Sequence, residues 1–297
     1  HSNFRGFLIA CKNEHLIIVR QLLNWADSLG IKKDMITANL NATFHLACQW
    51  GWNSEATEIW QHIGPTEKKK LLKHNNCAAF KAACSSGNSA LIENLFRWTE
   101  ALNMDRKTLT SGHCAGFISA CRNGHINAVK TLWNHGKKNQ KSPGLLVANH
   151  YRAFQEACYA GHVPVIQALC GWANNLKIIR GMLSSTGDTS KKKKAPYKQR
   201  DNNSPGDLNK AFIELDDIDI YLNDKHFCGL NSALVSQHKE AVNALLKWIK
   251  KLNMADEMLM SDDCLVLTIA CKHSELDIIT ELSEMARITK SSGTMVT

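Results

Sequence analysis

Cysteine is the residue type whose spacing in this chain most resembles a chemical framework. Eleven cysteines and 13 histidines are present, enough for a metal or redox centre. Six of the cysteines follow an alanine, and their first four intervals are 37, 36, 37 and 37 residues: Cys11, Cys48, Cys84, Cys121, Cys158 and Cys271. If each marks one repeat, neighbours lie about 10 Å apart, the packing distance of helices, whereas zinc binds thiolates at about 2.3 Å. The series therefore predicts core thiols rather than metal ligands.

No other pattern points to catalysis. The sequence has no glycine-rich phosphate loop, nucleophile elbow, H-E-x-x-H helix or CxxC pair. Three further cysteines, Cys77, Cys114 and Cys264, stand seven residues before a repeat cysteine, where Phe4 and Tyr151 stand in other repeats. A position shared by cysteine and aromatic residues is typical of packing. We therefore predict no catalytic residue, no cofactor, no metal site and no small-molecule substrate.

The same apolar frame surrounds each repeat cysteine and indicates which elements carry it. A large apolar residue stands four positions before the cysteine, an aliphatic residue or alanine eight after it, and another apolar residue eleven after it. Four repeats have glycine three positions after the cysteine: Gly51, Gly87, Gly124 and Gly161. These offsets predict two short amphipathic helices joined by a tight bend, repeated along an all-α chain.

Seven repeats fit this frame, and one between them does not. Residues 231–248 fit with Leu234 in place of the cysteine. Before them the spacing predicts an anchor at Ala195, but Lys191 to Lys194 and Pro196 stand there, and a row of lysines cannot be buried in a helix core. We expect the first helix of this sixth repeat to be missing or displaced and its second helix to be kept. The predicted domains are repeats 1–5 over residues 1–183, a degenerate repeat 6 with a lysine-rich loop over 184–226, and repeats 7–8 over 227–297.

Three segments resemble a known family. Residues 42–48 (ATFHLAC), 117–125 (FISACRNGH) and 154–162 (FQEACYAGH) are similar to the ankyrin repeat, whose helix pair carries T-P-L-H-x-A and then G-H-x-x-V-x-x-L-L. The resemblance covers nearly the whole chain and implies an ankyrin-like helical-repeat solenoid of seven clear units plus one degenerate unit. The repeat is about four residues longer than the family's 33 and lacks the β-turn signature. We therefore expect helical or irregular connectors between the repeats.

The resemblance also assigns roles to residues. Histidines of the Gly-His type are expected to hydrogen-bond the backbone between repeats: His15, His125, His162 and His238. Partners of ankyrin arrays lie in a concave groove, which the residues one and two positions after each anchor should face: Lys12, Gln49, Trp50, Arg122, Asn123, Tyr159, Lys272 and His273. Trp50 leads this set because large exposed aromatics are typical binding hot spots. The alternative is that its neighbour Trp52 packs against it.

Charge is unevenly distributed along the chain. The total is +9, with +11 in residues 1–186, +4 in 187–206 and −6 in 207–297. The basic part suits an acidic protein partner. The lysine-rich loop admits three interpretations, namely a solvated loop, a patch for nuclear import or an anionic partner, and docking against the acidic third of the chain. Its basic residues are Lys191, Lys192, Lys193, Lys194, Lys198 and Arg200.

We expect a non-catalytic scaffold for protein–protein interaction, monomeric and cytoplasmic, because no apolar run could span a membrane and the cysteines suit a reducing compartment. Divergent ankyrin arrays of this kind resemble those of secreted effectors that act on host proteins, in the host cytoplasm or nucleus. Two alternatives stay open. One is a targeting or regulatory repeat segment of a larger enzyme, since the chain begins inside an inner helix without Met. The other is an anionic lipid or nucleic-acid binder that uses the lysine-rich loop.

Overall fold

A computed structural model describes residues 4–103, 114–140, 142–185, 226–273 and 275–293 of the chain. Every regular element in these ranges is a helix, which confirms the all-α prediction. The chain divides into two compact units, residues 1–145 and residues 146–297. We use the term layer for one repeat, meaning an inner helix that carries the anchor residue together with the outer helix that follows it, and number the layers as the repeats above.

The first unit contains layers 1–4. Its inner helices α1, α4, α7 and α9 pack against one another in that order, and the outer helix α8 packs against α5 and α10. The helices are α1 (Arg5–Lys12), α2 (Leu16–Ser28), α3 (Lys32–Ala38), α4 (Leu40–Gln49), α5 (Asn53–Gln61), α6 (Pro65–Lys73), α7 (Ala78–Ser86), α8 (Ser89–Ala101), α9 (Ala115–Arg122) and α10 (Ile126–Lys138).

The second unit contains layers 5, 7 and 8. Helix α11 (Ser142–Tyr159) runs across the division between the units and is interrupted by four non-helical residues, Ala148 to Tyr151, so that its last part is the inner helix of layer 5. Within this unit α12 packs against α15, and α14 packs against α17. The remaining helices are α12 (Val163–Asn175), α13 (Ile179–Leu183), α14 (Cys228–Val235), α15 (Lys239–Lys251), α16 (Ala255–Met260), α17 (Leu265–Lys272) and α18 (Leu276–Gly293).

Short helices connect the layers, as the absence of a β-turn signature predicts. Helices α3, α6, α13 and α16 each follow an outer helix. They are amphipathic, and their apolar residues are buried, for example Ile36 in α3, Leu71 in α6 and Met258 in α16. Helix α6 begins with Pro65, whose fixed φ and missing N–H suit a first helical position.

The bend between inner and outer helix is the predicted tight turn. The glycine three positions after the anchor has a positive φ in all four layers that carry it, 69° at Gly51 and 74° at Gly87 for example. Glycine adopts this region without a steric penalty. Layers 1 and 7 make the same bend with Glu14 and Gln237, at φ 59° and 56°.

A second left-handed position precedes the inner helices and was not predicted. The residue seven positions before the anchor has a positive φ at Cys77, Cys114 and Cys264, as it does at Tyr151 and Phe227. Cys77 and Cys114 are buried, which confirms the packing role predicted for them, whereas Cys264 is exposed and the same prediction is wrong there. Left-handed backbone is unfavourable for such residues, so the packing of the buried side chains must offset this strain at Cys77 and Cys114.

Layers 5 and 7, which stand on either side of the predicted degenerate repeat in the sequence, are direct neighbours. A Cβ built on Gly229 of layer 7 would lie 2.6 Å from Cε1 of Phe154 in layer 5. The backbone N–H of Cys228 donates to the carbonyl of Ser185, N to O 3.2 Å, so the chain leaves layer 5 and enters layer 7 at the same place. Residues 186–225, with the lysine-rich loop and its six basic residues, lie outside the described ranges.

Candidate functional site

Five of the six repeat cysteines are buried in the core. Cys11, Cys48, Cys84, Cys121 and Cys158 are buried, which confirms the core-thiol prediction, but Cys271 in layer 8 is exposed and departs from it. Burial raises the pKa of Cys11 to about 12 and that of Cys48 further. Because the thiolate is the form that attacks or binds metal, these thiols are poor nucleophiles and ligands.

The Gly-His histidines tie one layer to the next where the predicted geometry is present. Nε2 of His125 lies 2.9 Å from the carbonyl oxygen of Ser85 in the preceding layer, and its ring covers Gly87. In the second unit the ring of His238 covers Gly161 in the same way. His15 is exposed. The prediction of a structural histidine is therefore confirmed for His125, which carries the expected bond to the backbone.

The predicted contact residues of the first unit stand on layers 1, 2 and 4. Lys12, Gln49 and Arg122 are exposed, and each stands at or beside the C-terminal end of its inner helix. The inner helices of layers 1–4 pack in succession, so these ends follow one another along one edge of the unit. We call this row the inner-helix edge. Its members from the sequence analysis are Lys12, Gln49, Trp50, Arg122 and Asn123.

Trp50 and Asn123 also hold the inner-helix edge together. The indole N–H of Trp50 donates to the carbonyl of Cys11, N to O 3.0 Å, and the amide of Asn123 donates to the carbonyl of Ser85 at 2.8 Å. Trp50 is half-buried, so part of its ring stays open to a partner while its donor is already used. Its neighbour Trp52 is buried. The sequence could not show that the side-chain N–H groups of Trp50 and Asn123 would donate hydrogen bonds to the neighbouring layer.

The predicted residues of the second unit stand on layers 5 and 8. Tyr159 of layer 5 is 49% exposed, and Lys272 of layer 8 is exposed, but layer 7 stands between their layers. His273 is half-buried, with Nδ1 3.0 Å from the amide nitrogen of Gln237 in layer 7. One layer thus separates the predicted residues of the second unit, as layer 3 separates Gln49 from Arg122 in the first.

Charge separates the two units as well. Residues 1–145 hold 18 lysines and arginines against 9 acidic residues, net +9, whereas residues 146–297 hold 18 of each and are neutral. The whole net charge of the protein thus belongs to the unit that has the inner-helix edge. A field of one sign over such a surface attracts partners of the opposite sign.

The sequence analysis did not predict the clefts that lie between successive outer helices. A cleft of about 670 Å³ lies between α8 and α10, with Phe96 and His135 in its lining and charged residues such as Arg97 and Lys138 around them. Phe96 and His135 stack with their ring centroids 3.6 Å apart. Trp60 and Trp98 stack at 4.5 Å one layer earlier. The residue fourteen after the anchor is tryptophan or histidine in layers 1–5 and 7, and this recurrence is the signal that could have indicated these stacks.

The part of the chain that the structure describes contains no group of three or more histidine, cysteine or carboxylate side chains that could hold a metal ion. Within the same residues, no helix combines the length and the apolar character needed to cross a membrane.

Comparison with models of known protein families finds no match to this chain, and comparison with curated proteins finds none either.

Proposed function

We propose that the chain is a non-catalytic scaffold of the ankyrin-repeat type, a solenoid that binds an acidic protein along its inner-helix edge. The observation that carries this proposal is the exposed row of Lys12, Gln49 and Arg122 on the unit that holds all of the net positive charge. The buried, protonated thiols at the anchors suit a reducing compartment such as the cytoplasm.

The layer-to-layer hydrogen bonds support this role because they fix the edge before a partner arrives. The bonds from Trp50 to Cys11 and from Asn123 to Ser85 join layer 2 to layer 1 and layer 4 to layer 3. A preorganised surface loses less conformational entropy on binding than a flexible one. Trp50 supplies apolar area within the row, and Lys12 and Arg122 supply charge on either side of it.

Electrostatic attraction should govern how fast the partner binds. Charges at the rim of an interface mainly raise the association rate, and salt screens them. We therefore expect the partner's association rate to fall as ionic strength rises, while the dissociation rate depends more on the contact with Trp50.

A capture experiment with matched charge reversals tests the proposal. Lys12→Glu combined with Arg122→Glu reverses two charges on the inner-helix edge, and Lys130→Glu combined with Lys137→Glu reverses two exposed charges on the outer helix α10. The immobilised wild type and the α10 variant should recover the same proteins from cytosol, and the edge variant should lose them. Equal recovery by both variants would contradict the proposed surface, and recovery that nuclease treatment abolishes would contradict a protein partner.

A further inference from the structure

The connector helix α6 carries a row of lysines on its exposed side. Residues three, four and seven positions apart lie along one face of a helix. In α6 that face consists of four exposed residues, which we call the α6 lysine face: Thr66, Lys69, Lys70 and Lys73. The opposite side of the helix is buried, with Leu71 and Leu72 only 3% and 4% exposed. These leucines anchor α6 to the first unit, so the lysine face has a fixed place on it.

The lysines of this face have no carboxylate partner among the residues that the structure describes. Glu67, the acidic residue of α6, is turned toward the start of the helix, where its Oε2 would lie 2.7 Å from a Cβ built on Gly64. Lys68 lies over the ring of Trp60, 5.3 Å from its centroid. Like charges three and four positions apart destabilise a helix, and no described carboxylate offsets that repulsion in α6.

Other connector helices hold their cations differently. In α3, Lys32 lies 3.7 Å from Oδ1 of Asp27 and also contacts Glu58. In α13, Nη1 of Arg180 lies 3.9 Å from Oε2 of Glu257. Among the connector helices that the structure describes, three lysines without a carboxylate partner share one face in α6 only.

A depression of about 270 Å³ opens on the α6 lysine face, and Pro65 completes its lining. The lining offers three ammonium groups and one hydroxyl as hydrogen-bond donors. An ammonium group is a compact charge that suits phosphate, whereas the planar guanidinium that matches a carboxylate is absent from α6. The lining also lacks an aromatic ring on which a nucleobase could stack. These groups therefore fit a compact ligand with several phosphates better than an acidic peptide or a nucleic-acid strand.

We propose that the α6 lysine face binds a compact ligand with two or more phosphate groups, which is either free in solution or the headgroup of a lipid. Lys69 and Lys73 stand one helical turn apart, so neighbouring phosphates can each meet an ammonium group. Binding would also relieve the repulsion among the lysines. This site is separate from the protein scaffold proposed above, because α6 contains no residue of the inner-helix edge.

Two binding measurements on the full chain test the site and distinguish the sources of the ligand. Calorimetric titration with inositol hexakisphosphate tests the free form, and flotation with phosphatidylcholine vesicles, with and without phosphatidylinositol bisphosphate, tests the lipid form. Binding to either phosphorylated probe is expected, and the probe that binds identifies the source. Absence of binding to both would overturn the proposal.

A triple variant and a matched control locate the binding. Lys69→Gln with Lys70→Gln and Lys73→Gln should weaken binding about a hundredfold, since each lysine near a phosphorylated surface contributes about 1 kcal/mol. The control removes the same charge from exposed, scattered positions of the first unit and should bind almost as well as the wild type: Lys33→Gln, Lys130→Gln and Lys137→Gln. Equal losses in the two variants would mean attraction by net charge alone and would contradict the site.

Two further readouts separate this site from other roles. Lys12→Glu with Arg122→Glu, which disables the inner-helix edge, should keep the phosphate binding, so the scaffold proposal and this one can fail independently. The α6 triple variant should melt at or above the wild-type temperature, because repulsion within the helix is removed. A lower melting temperature would assign the lysines to packing, and tighter binding of duplex DNA than of inositol hexakisphosphate, lost in the same variant, would assign the face to nucleic acid. Either result would overturn the proposal.

Discussion

The junction between layers 3 and 4 and the junction between layers 5 and 7 have the same contacts but different connections. In each, an inner-helix phenylalanine lies against a glycine of the next layer, and a histidine ring covers the glycine of the preceding bend. Phe80 and Gly116 are 36 residues apart, whereas Phe154 and Gly229 are 75 apart. The second junction therefore accommodates about one extra repeat length without a change in its packing.

The comparison shows that the inner-helix side chains, and not the length of the connection, determine which layers meet. Lengthening a loop adds little to the entropy of closing it, roughly 0.6 kcal/mol for each doubling. The bond from Cys228 to Ser185 keeps the two ends of the long connection together. Two layers with matching faces can therefore pack even when some forty residues of chain separate them.

The largest effect should come from the glycines under the histidine rings. Gly87→Ala and Gly161→Ala place a Cβ 2.4 Å and 2.5 Å from Cγ of His125 and His238, at φ values of 74° and 71°. We expect each to lower the free energy of unfolding by about 3 kcal/mol, from left-handed strain and the displaced ring together. Urea unfolding followed by circular dichroism measures this.

Gly30→Ala is the matched control for that prediction. Gly30 has a similar φ of 68° but nothing within 4 Å of its built Cβ, so its substitution reports left-handed strain alone, about 1–2 kcal/mol. A loss at Gly161 no larger than the loss at Gly30 would mean that the ring of His238 does not press on layer 5.

The glycines of the inner helices should give the next largest effect. A Cβ on Gly116 would lie 2.9 Å from Sγ of Cys84, and one on Gly229 would lie 2.6 Å from Phe154. Overpacking of this kind costs about 1–3 kcal/mol, and we expect about 2 kcal/mol for alanine at either site. Gly6→Ala, at the equivalent open position, should instead stabilise by about 0.5–1 kcal/mol through helix propensity. Thermal melts would show the contrast. If Gly229→Ala changed the melting temperature in the same way as Gly6→Ala, direct packing of layer 7 on layer 5 would be contradicted.

The repeat frame was readable from the sequence because it depends on local periodicity. The anchors, the bend glycines and the helical connectors all follow from which residues recur at which offset. Direct contact between layers 5 and 7 does not, because it depends on the fit of Phe154 and Gly229 across a long separation. Counting along the chain predicts the degenerate sixth repeat but not which layers touch, and the residues of that repeat lie outside the described ranges.

The candidate binding surface was predictable to a similar degree. The offset after each anchor predicted which residues stand at the helix ends, and Lys12 and Arg122 are exposed there. The sequence could not show that the Trp50 indole would be bonded to Cys11, since that bond depends on the rotation between layers. The left-handed turn at Cys77 and Cys114 was equally hidden, because cysteine has no preference for that conformation.

A smaller effect is expected from shortening the extra connection. Deletion of residues 186–225, with a twenty-residue glycine–serine link between Ser185 and His226, leaves both halves of the junction intact. The midpoint of thermal unfolding should change little, equivalent to about 0.6 kcal/mol, because the closed loop is only halved in length. Combining the deletion with Gly229→Ala should then reproduce the loss caused by Gly229→Ala alone. An unfolded deletion variant would show that the connection itself supports layer 7.

Thiol reactivity compares the junctions without any substitution. Cys84 and Cys158 are buried by equivalent contacts, and burial raises the pKa of both thiols well above the usual value. Both should therefore resist a thiol reagent equally in native protein, whereas Cys264 and Cys271 are exposed and should react rapidly. Two of the eleven thiols should react at once and all eleven after denaturation.

Rapid labelling of Cys158 but not of Cys84, located by peptide mass analysis, would mean that the long connection loosens the packing of layer 7 on layer 5. Equal protection would show that a contact made by a few side chains is as tight across 75 residues as across 36.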